Sequence, residues 1–317
     1  MANNNQPHLS VIIPAYNEET RISKTLLEID KYLSRQTYKS EIIVVNDGST
    51  DGTARVVEKF QNLIANLRFE NNRENHGKGY VVRQGMLAAR GDIRLFTDAD
   101  NSTSIEHIEK MWQHFSDGAD VVIGSRDSKD AQGASQAVKQ PFLKRLLGNM
   151  ANMLIQIVAV WGIWDTQNGF KAFTAPAAKD IFSRARINRW GFDIEALALA
   201  RALKYRIAII PVHWVNDPAT HVTLKGYINT FVELFKVRIN LWSDAYGINK
   251  SNFREKSVHK SAVDMITVPK GKDIMKSISF SELSKVKSEP TKKVLEIKNE
   301  AVHKSDAVKT NKKENNP

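Results

Sequence analysis

Asp98 and Asp100, two carboxylates two residues apart, directly follow the apolar run at residues 93–97. If that run is a buried strand, the pair lies at its carboxyl end, where open α/β sheets bind their ligands. Carboxylate oxygens suit Mg²⁺ or Mn²⁺, and such a metal is usually held by one or two carboxylates together with the phosphates of a substrate. The pair therefore points to a nucleoside diphosphate, although an isolated Asp-x-Asp is more often a turn.

Polar clusters also follow the three preceding predicted strands. The carboxyl ends of successive parallel strands converge on one crevice, so we expect these clusters to lie together. Asp47 offers an acceptor for the N–H of a base such as uracil, Tyr16 a ring to pack against that base, and Lys78 a charge for a phosphate. Each residue alone is more often part of a turn or a helix cap, but the set favours a nucleotide site. The clusters are residues 14–18, with Pro14, Tyr16 and Glu18; residues 46–53, with Asp47; and residues 75–79, with Lys78.

The elements that must position these residues alternate between strand and helix. Apolar runs at residues 9–13 and 41–46, ended by Pro14 and by Asp47, predict buried parallel strands, and residues 20–33 between them have helical spacing. The alternation predicts an α/β fold with a mostly parallel sheet and helices on both faces. Further strands are expected at residues 67–71, 93–97 and 120–124, and further helices at residues 50–63, 78–89 and 104–115.

Beyond residue 124 the pattern is less regular. A polar loop at residues 125–140 is expected beside the site, followed by an apolar helix near residues 142–164. Asn149, Asn152 and Gln156 interrupt that apolar segment, so we interpret it as buried or interfacial rather than membrane-spanning. Strands are then expected at residues 170–173 and 207–212, and helices at residues 175–183 and 193–204.

The last predicted helix, residues 224–242, combines an aromatic-rich apolar stripe with basic flanks. This pattern is typical of an amphipathic helix on a membrane surface, and a helix packed on the domain core is an almost equal alternative. The stripe consists of Leu224, Tyr227, Ile228, Phe231, Val232, Phe235, Ile239 and Trp242.

Composition sets the wider limits. The formal charge of the chain is 46 − 35 = +11, and residues 250–317 contribute 16 − 9 = +7 of it. We therefore expect one domain at residues 1–245, followed by a basic, disordered tail at residues 246–317. The absence of cysteine excludes disulfides and thiolate catalysis and favours a reducing compartment. The first residues lack a secretion signal pattern, so a cytoplasmic protein is expected. We expect no nucleic-acid partner.

Two other nucleotide-binding classes lack their motifs here. A dinucleotide oxidoreductase would carry Gly-x-Gly-x-x-Gly after the first strand, where residues 14–18 stand instead. The Walker motif of P-loop NTPases is also absent from the sequence.

The motifs as a set resemble those of inverting GT-A glycosyltransferases, and among these the dolichyl-phosphate glucosyltransferases. The general signature is VIIPAYNE at residues 11–18 and VVNDGSTDG at residues 44–52; finer matches are NHGKG (75–79), VRQGM (82–86), FTDAD (96–100), DTQNGFK (165–171) and RWGFDIE (189–195). The Arg-Trp pair favours the glucosyl over the mannosyl branch. The chain differs at Asn168, where a cysteine is expected, at Asn101, where a glycine is expected, and in lacking an amino-terminal anchor.

The resemblance implies a GT-A fold with a donor half at about residues 8–125 and an acceptor half at about residues 126–245. It implies UDP-glucose as donor, with Asp47 near the uracil, Asp98 near the ribose and Asp100 on a Mg²⁺ or Mn²⁺ ion. The implied acceptor is a dolichyl or polyprenyl phosphate, reached by peripheral contact with the cytoplasmic face of a membrane, for protein glycosylation. Arg126 is the first candidate to hold the acceptor phosphate and Arg145 the second.

Three alternatives remain open. The donor could be GDP-mannose, with a polyprenyl phosphate as acceptor. The acceptor could be a sugar hydroxyl, which must lose a proton, so that Asp193 or Glu195 would act as general base. The chain could also be a catalytically silent module that binds a nucleotide sugar. For catalysis we select Asp100, Arg126 and Asp193.

Overall fold

The computed structural model describes residues 6–136, 152–215 and 224–248. Strands and helices alternate through the first half of these ranges, as the sequence predicts. The strands are β1 Leu9–Ala15, β2 Ser40–Asp47, β3 Leu67–Asn72, β4 Ile93–Thr97, β5 Val121–Ser125, β6 Ser135–Gln136, β7 Phe170–Thr174, β8 Ile207–Pro211 and β9 His213–Trp214. The helices are α1 Ile22–Leu33, α2 Thr53–Gln61, α3 Lys78–Ala88, α4 Glu109–Ser116, α5 at residues 152–158, α6 Ala175–Arg184, α7 Phe192–Ala202 and α8 Leu224–Trp242, with a 3₁₀ turn at Ile105–Ile108.

Seven of the strands form one sheet in the order β3-β2-β1-β4-β7-β5-β8. All neighbours in it are parallel except β7, which pairs antiparallel with both β4 and β5. The mostly parallel sheet is therefore confirmed. The sequence did not predict that an antiparallel strand from the second half of the chain would be inserted beside β4.

Helices cover both faces of this sheet, as predicted. Alternate residues of β1 point to opposite faces, so Val11 packs with Leu26 of α1 while Ile12 packs with Val82 of α3. Helices α6 and α7 share the second face with α3. The carboxyl ends of β1, β2 and β4 thus lie together at one edge of the sheet.

The expectation that Pro14 ends the first strand was wrong. β1 continues through Pro14, which lies opposite Val45 of β2, to Ala15. Its pairing with β4 stops at Ile12, opposite Phe96. Because Pro14 lies beyond that point, its missing N–H takes no ladder bond away from β4.

The apolar segment before β7 is only partly described. Residues 152–158 are helical, and the helix ends before Gly162, whose φ is +76°. It is therefore shorter at this end than the predicted helix, and residues 137–151 lie outside the described ranges. Across those ranges, no helix has the length and apolar character that a membrane crossing requires.

Helix α8 has two apolar faces rather than one. Leu234 and Val237, which are not part of the predicted stripe, are fully buried against the core. Four members of the predicted stripe are instead exposed, with fractions from 49% at Val232 to 74% at Trp242; the other two are Phe235 and Ile239. The helix is thus anchored by one face and presents the other outward.

Candidate active site

Lys78, the first residue of α3, joins two of the predicted clusters. Its Nζ donates to Oδ1 of Asp98, just beyond β4, over 2.6 Å. Burial alone would lower the pKa of Lys78, but the carboxylates of Asp98 and Asp193 outweigh it, so the pKa is raised above its usual value. The lysine is therefore a firmly held cation at the point where a diphosphate was expected.

Asp47, at the end of β2, is almost fully buried and holds the loop that leads to Lys78. Its two carboxylate oxygens accept the backbone N–H groups of His76, at 2.7 Å, and Gly77, at 2.9 Å. Gly77 has a φ of +101°, and a Cβ there would lie 2.5 Å from the carbonyl oxygen of Asn188. A glycine is thus required on both grounds. The uracil contact of Asp47 stays a prediction.

The cluster after β1 lies beside the Asp98/Asp100 pair. Glu18 forms a two-pronged ion pair with Arg21, with both contacts at 2.7 Å. Burial raises the pKa of Glu18; Arg21 opposes this effect, and Asp100 and Asp98 add to it. The electrostatic coupling shows that the three carboxylates share one region.

The other two residues selected from this cluster differ in exposure. Tyr16 is 46% exposed, so a large part of its side chain is open to solvent. Pro14 is buried within β1.

Asp100 follows the strand in a tight turn. Its Oδ1 accepts the backbone N–H of Ser102 at 2.9 Å. Asn101 has a φ of +52°, in the left-handed region that favours glycine, which gives a physical reason for the glycine expected there. Within residues 6–136, 152–215 and 224–248, no group of three or more His, Asp or Glu side chains is arranged to hold a metal ion. Two carboxylates that are completed by substrate phosphates still fit Mg²⁺ or Mn²⁺.

β7 and the residues before it form the floor of the site. Gly169 packs so closely on Asp98 that a Cβ there would lie 2.0 Å from Oδ2 of the carboxylate. Two residues later, Nζ of Lys171 donates to Oδ1 of Asp193 over 2.6 Å and also to the carbonyl oxygen of Asn168. The segment formed by Gly169 and β7 therefore contacts both Asp98 and Asp193.

Neither Gly169 nor Lys171 was selected from the sequence. Lys171 is fully buried between Phe170 and Ala172, and a buried lysine needs a charged partner. That placement within an apolar run is the signal that could have identified it.

Asp193 and Glu195 lie on the same helix, α7, but have different surroundings. Burial raises the pKa of Asp193, while Lys171 and Lys78 offset part of that rise. Glu195 accepts the backbone N–H groups of Arg186 and Ile187 and the hydroxyl of Tyr246. These contacts give Glu195 a structural role in holding residues 186–187.

Arg126, just after β5, is held by a carboxylate partner. Its Nε and Nη2 donate to the two oxygens of Asp165 over 2.8 and 2.7 Å, and its backbone N–H donates to the same group. Burial alone would lower the pKa of Arg126, but Asp165 raises it overall. The guanidinium carbon lies 5.2 Å from the ring centre of Trp214. The structure therefore fixes the orientation of this cation, while Arg145 lies outside the described residues.

Known proteins are similar to this chain over most of its length. A dolichyl-phosphate beta-glucosyltransferase of Trichomonas vaginalis is 36% identical over 254 residues, which cover 75% of this chain and 76% of the relative. The human dolichyl-phosphate beta-glucosyltransferase is 31% identical over 257 residues, with 77% and 78% covered.

Solved structures support the same fold. Glucosyl-3-phosphoglycerate synthase from Mycobacterium tuberculosis, in complex with UDP, aligns with a TM-score of 0.52 at 16% identity, over 73% of this chain and 80% of that one. This likeness confirms the GT-A fold. Residues 10–182 match the family described as Glycosyl transferase family 2. Together with the relatives above, that match shows that the chain is a glycosyltransferase that belongs to glycosyl transferase family 2.

Proposed function

We propose that this protein transfers glucose from UDP-glucose to a dolichyl or polyprenyl phosphate, with inversion at the anomeric carbon. Relatives named dolichyl-phosphate beta-glucosyltransferase align with about three quarters of the chain. The observation that carries the proposal is the ion pair between Lys171 and Asp193. In this ion pair the carboxylate of Asp193 is already engaged, yet a hydroxyl acceptor would need that carboxylate as a general base. A phosphate acceptor needs no general base. The second pKa of a phosphate monoester is about 6, so it is largely a dianion at neutral pH.

The donor binds at the edge formed by β1, β2 and β4. Asp47 takes the uracil side, Asp98 the ribose side, and Lys78 exchanges part of its contact with Asp98 for the diphosphate. Asp100 holds a Mg²⁺ or Mn²⁺ ion, which supplies charge neutralisation for the leaving UDP. Pro14, Tyr16 and Glu18 complete the wall around the base.

Arg126 holds the acceptor phosphate. The Asp165 carboxylate fixes the plane of its guanidinium, so that this arginine is pre-organised before the lipid arrives. Planar guanidinium groups suit phosphate because they donate two parallel N–H bonds. Arg145 is the second proposed contact.

The enzyme works at the cytoplasmic face of a membrane by peripheral contact. The exposed stripe Val232, Phe235, Ile239 and Trp242 on α8 is an apolar surface of the kind that enters the headgroup boundary. Lys236 and Arg238 flank it, and basic flanks are attracted to anionic lipids. This contact would bring the lipid acceptor to the site.

The test supplies labelled UDP-glucose, UDP-galactose and GDP-mannose in turn with a polyprenyl phosphate. Label from UDP-glucose in an organic-extractable, acid-labile product is the expected result. Label only from GDP-mannose would overturn the proposed donor, and no lipid label from any donor would overturn the acceptor. Metal-dependent UDP release with the lipid present would exclude a silent binding module.

A second candidate is transfer to a sugar hydroxyl with Asp193 as general base. Burial raises the pKa of Asp193, which makes its carboxylate a stronger base and so favours this candidate. Asp193→Asn separates the two. We expect appreciable turnover to remain, whereas a loss of about a thousandfold or more, with folding and UDP binding intact, would support the base.

A further inference from the structure

A pocket separate from the donor site lies between residues 186–189 and helix α8. Its volume is about 450 Å³. None of Lys78, Asp98 and Asp193 lines it. The side chains that matter here are Arg186, Asn188 and Arg189 from the segment before α7, and Asn229, Glu233 and Lys236 from α8.

The pocket has an excess of positive charge. Its single acidic group among the described residues, Glu233, accepts the backbone N–H of Gly191 at 2.7 Å, and Arg186 donates to the carbonyl oxygen of Ala245. Arg189 and Lys236 are exposed, and within the described ranges neither forms an ion pair. The lining thus carries three cations and one carboxylate, a net charge of +2, and its exposed cations include a planar guanidinium, which matches phosphate oxygens.

The pocket lies next to the exposed apolar stripe of α8. At roughly 100° per residue, Asn229, Glu233 and Lys236 share one side of the helix, adjacent to the stripe. Val232 belongs to the stripe and also lines the pocket. A ligand with a phosphate in the pocket would thus have an apolar surface directly beside it, which suits a lipid better than a free anion.

We propose that this pocket binds the terminal phosphate of an anionic membrane lipid other than the reacting acceptor. The inference rests on the membrane contact proposed above and adds a specific headgroup site to it. A phosphomonoester carries about −1.5 to −2 charges and three acceptor oxygens, which match the two exposed cations. Because Asn188 and Arg189 also pack against Gly77, the occupied pocket would fix the enzyme's rotation on the bilayer with respect to the donor site.

Vesicle binding tests the headgroup. Phosphatidylcholine vesicles are prepared with either phosphatidic acid, which has a terminal phosphate, or phosphatidylglycerol, whose phosphate is an internal diester, at equal surface charge. The full chain should bind the phosphatidic acid vesicles about fivefold more tightly, the scale of one well-placed cation. Lys236→Gln and Arg189→Gln should each remove that preference.

Arg238→Gln is the matched control. It removes the same charge from the same helix, but Arg238 lies roughly 160° around the axis from Lys236. It should weaken binding to both kinds of vesicle alike and keep the preference. Equal binding of the unaltered protein to both kinds, or loss of the preference in Arg238→Gln, would overturn the pocket.

Glucosyl transfer in detergent separates the two lipid sources. With a short-chain polyprenyl phosphate and no other lipid, a clear rise in the acceptor KM of Lys236→Gln would assign the pocket to the acceptor and overturn the proposal. Failure of the unaltered protein to transfer glucose would refute the proposed function and leave the vesicle result standing.

Discussion

Gly169 offers a clear test of whether the residues beneath Asp98 position its carboxylate. In Gly169→Ala, the new Cβ would lie 2.0 Å from Oδ2 of Asp98, whereas ordinary contact begins at 3.4 Å, so the carboxylate must move by 3.4 − 2.0 = 1.4 Å. Gly169 does not have a positive φ, and what it meets is the end of a side chain. The substitution should therefore leave the fold intact while displacing Asp98 from Lys78.

Misplacement by about 1 Å can cost about a hundredfold in rate, so we expect kcat/KM for UDP-glucose to fall by about that factor. The free energy of unfolding in urea should fall by about 1 to 3 kcal/mol, the usual cost of overpacking a close-packed site, while the fold is retained. Gly162→Ala is the control: its Cβ meets nothing within 4 Å, but its φ is +76°. It should lose about 1 kcal/mol of stability and keep its activity. A Gly169→Ala enzyme with unchanged kcat/KM would refute the reasoning.

Three further predictions concern the charge pairs and α8. Lys171→Met would leave Asp193 as an unpaired buried charge and should lower the free energy of unfolding in urea by about 3 kcal/mol or more. The double variant Lys171→Met/Asp193→Leu should recover most of that loss, and no recovery would contradict the pairing. Burial alone would raise the pKa of Asp165, but Arg126 holds that pKa below the usual 3.8. The ion pair therefore stabilises the fold above about pH 3.8, and this stabilisation is lost as the pH falls through the lower pKa of the folded state. At neutral pH, Asp165→Asn should therefore have a smaller free energy of unfolding in urea than the original protein. This difference should shrink in strong acid, and a difference that does not change with pH would refute a stabilising role of the ionised Asp165. Phe235→Gln should reduce binding to anionic vesicles, measured by sedimentation, about fivefold, which corresponds to about 1 kcal/mol. Leu63→Gln, at an exposed site away from α8, should not reduce it. Equal losses in the two variants would refute the membrane contact of α8.

The alternation of strands and helices could be predicted because each buried strand is a continuous apolar run between turn residues. The antiparallel direction of β7 could not. Phe170–Thr174 is buried along most of its length, and an apolar run buried on both faces carries no sign of its direction or its neighbours. Its pairing with β4 and β5 is decided by tertiary packing between distant parts of the chain.

The convergence of the polar clusters was also predictable, because the carboxyl ends of neighbouring parallel strands lie at one edge of the sheet. The charge pairs within it were not. Arg126 and Asp165 lie on segments that only the folded sheet brings together, and their spacing in sequence carries no periodic signal. On α8, periodicity identified an apolar stripe, but the choice between core and surface depends on which neighbours exist. The structure has Leu234 facing the core and Phe235 facing outward.

The insertion of β7 beside β4 has a consequence for how the protein is made. During synthesis β4 emerges well before β7, so until then one edge of β4 has no strand to pair with, and its Leu95 and Phe96, both fully buried in the final fold, lack part of their cover. Unpaired, apolar strand edges are templates for aggregation. We therefore expect the β4 edge beside Asp98 to be completed only after the polypeptide has extended past residue 174, and a fragment that stops at residue 125 to form inclusion bodies rather than a soluble half.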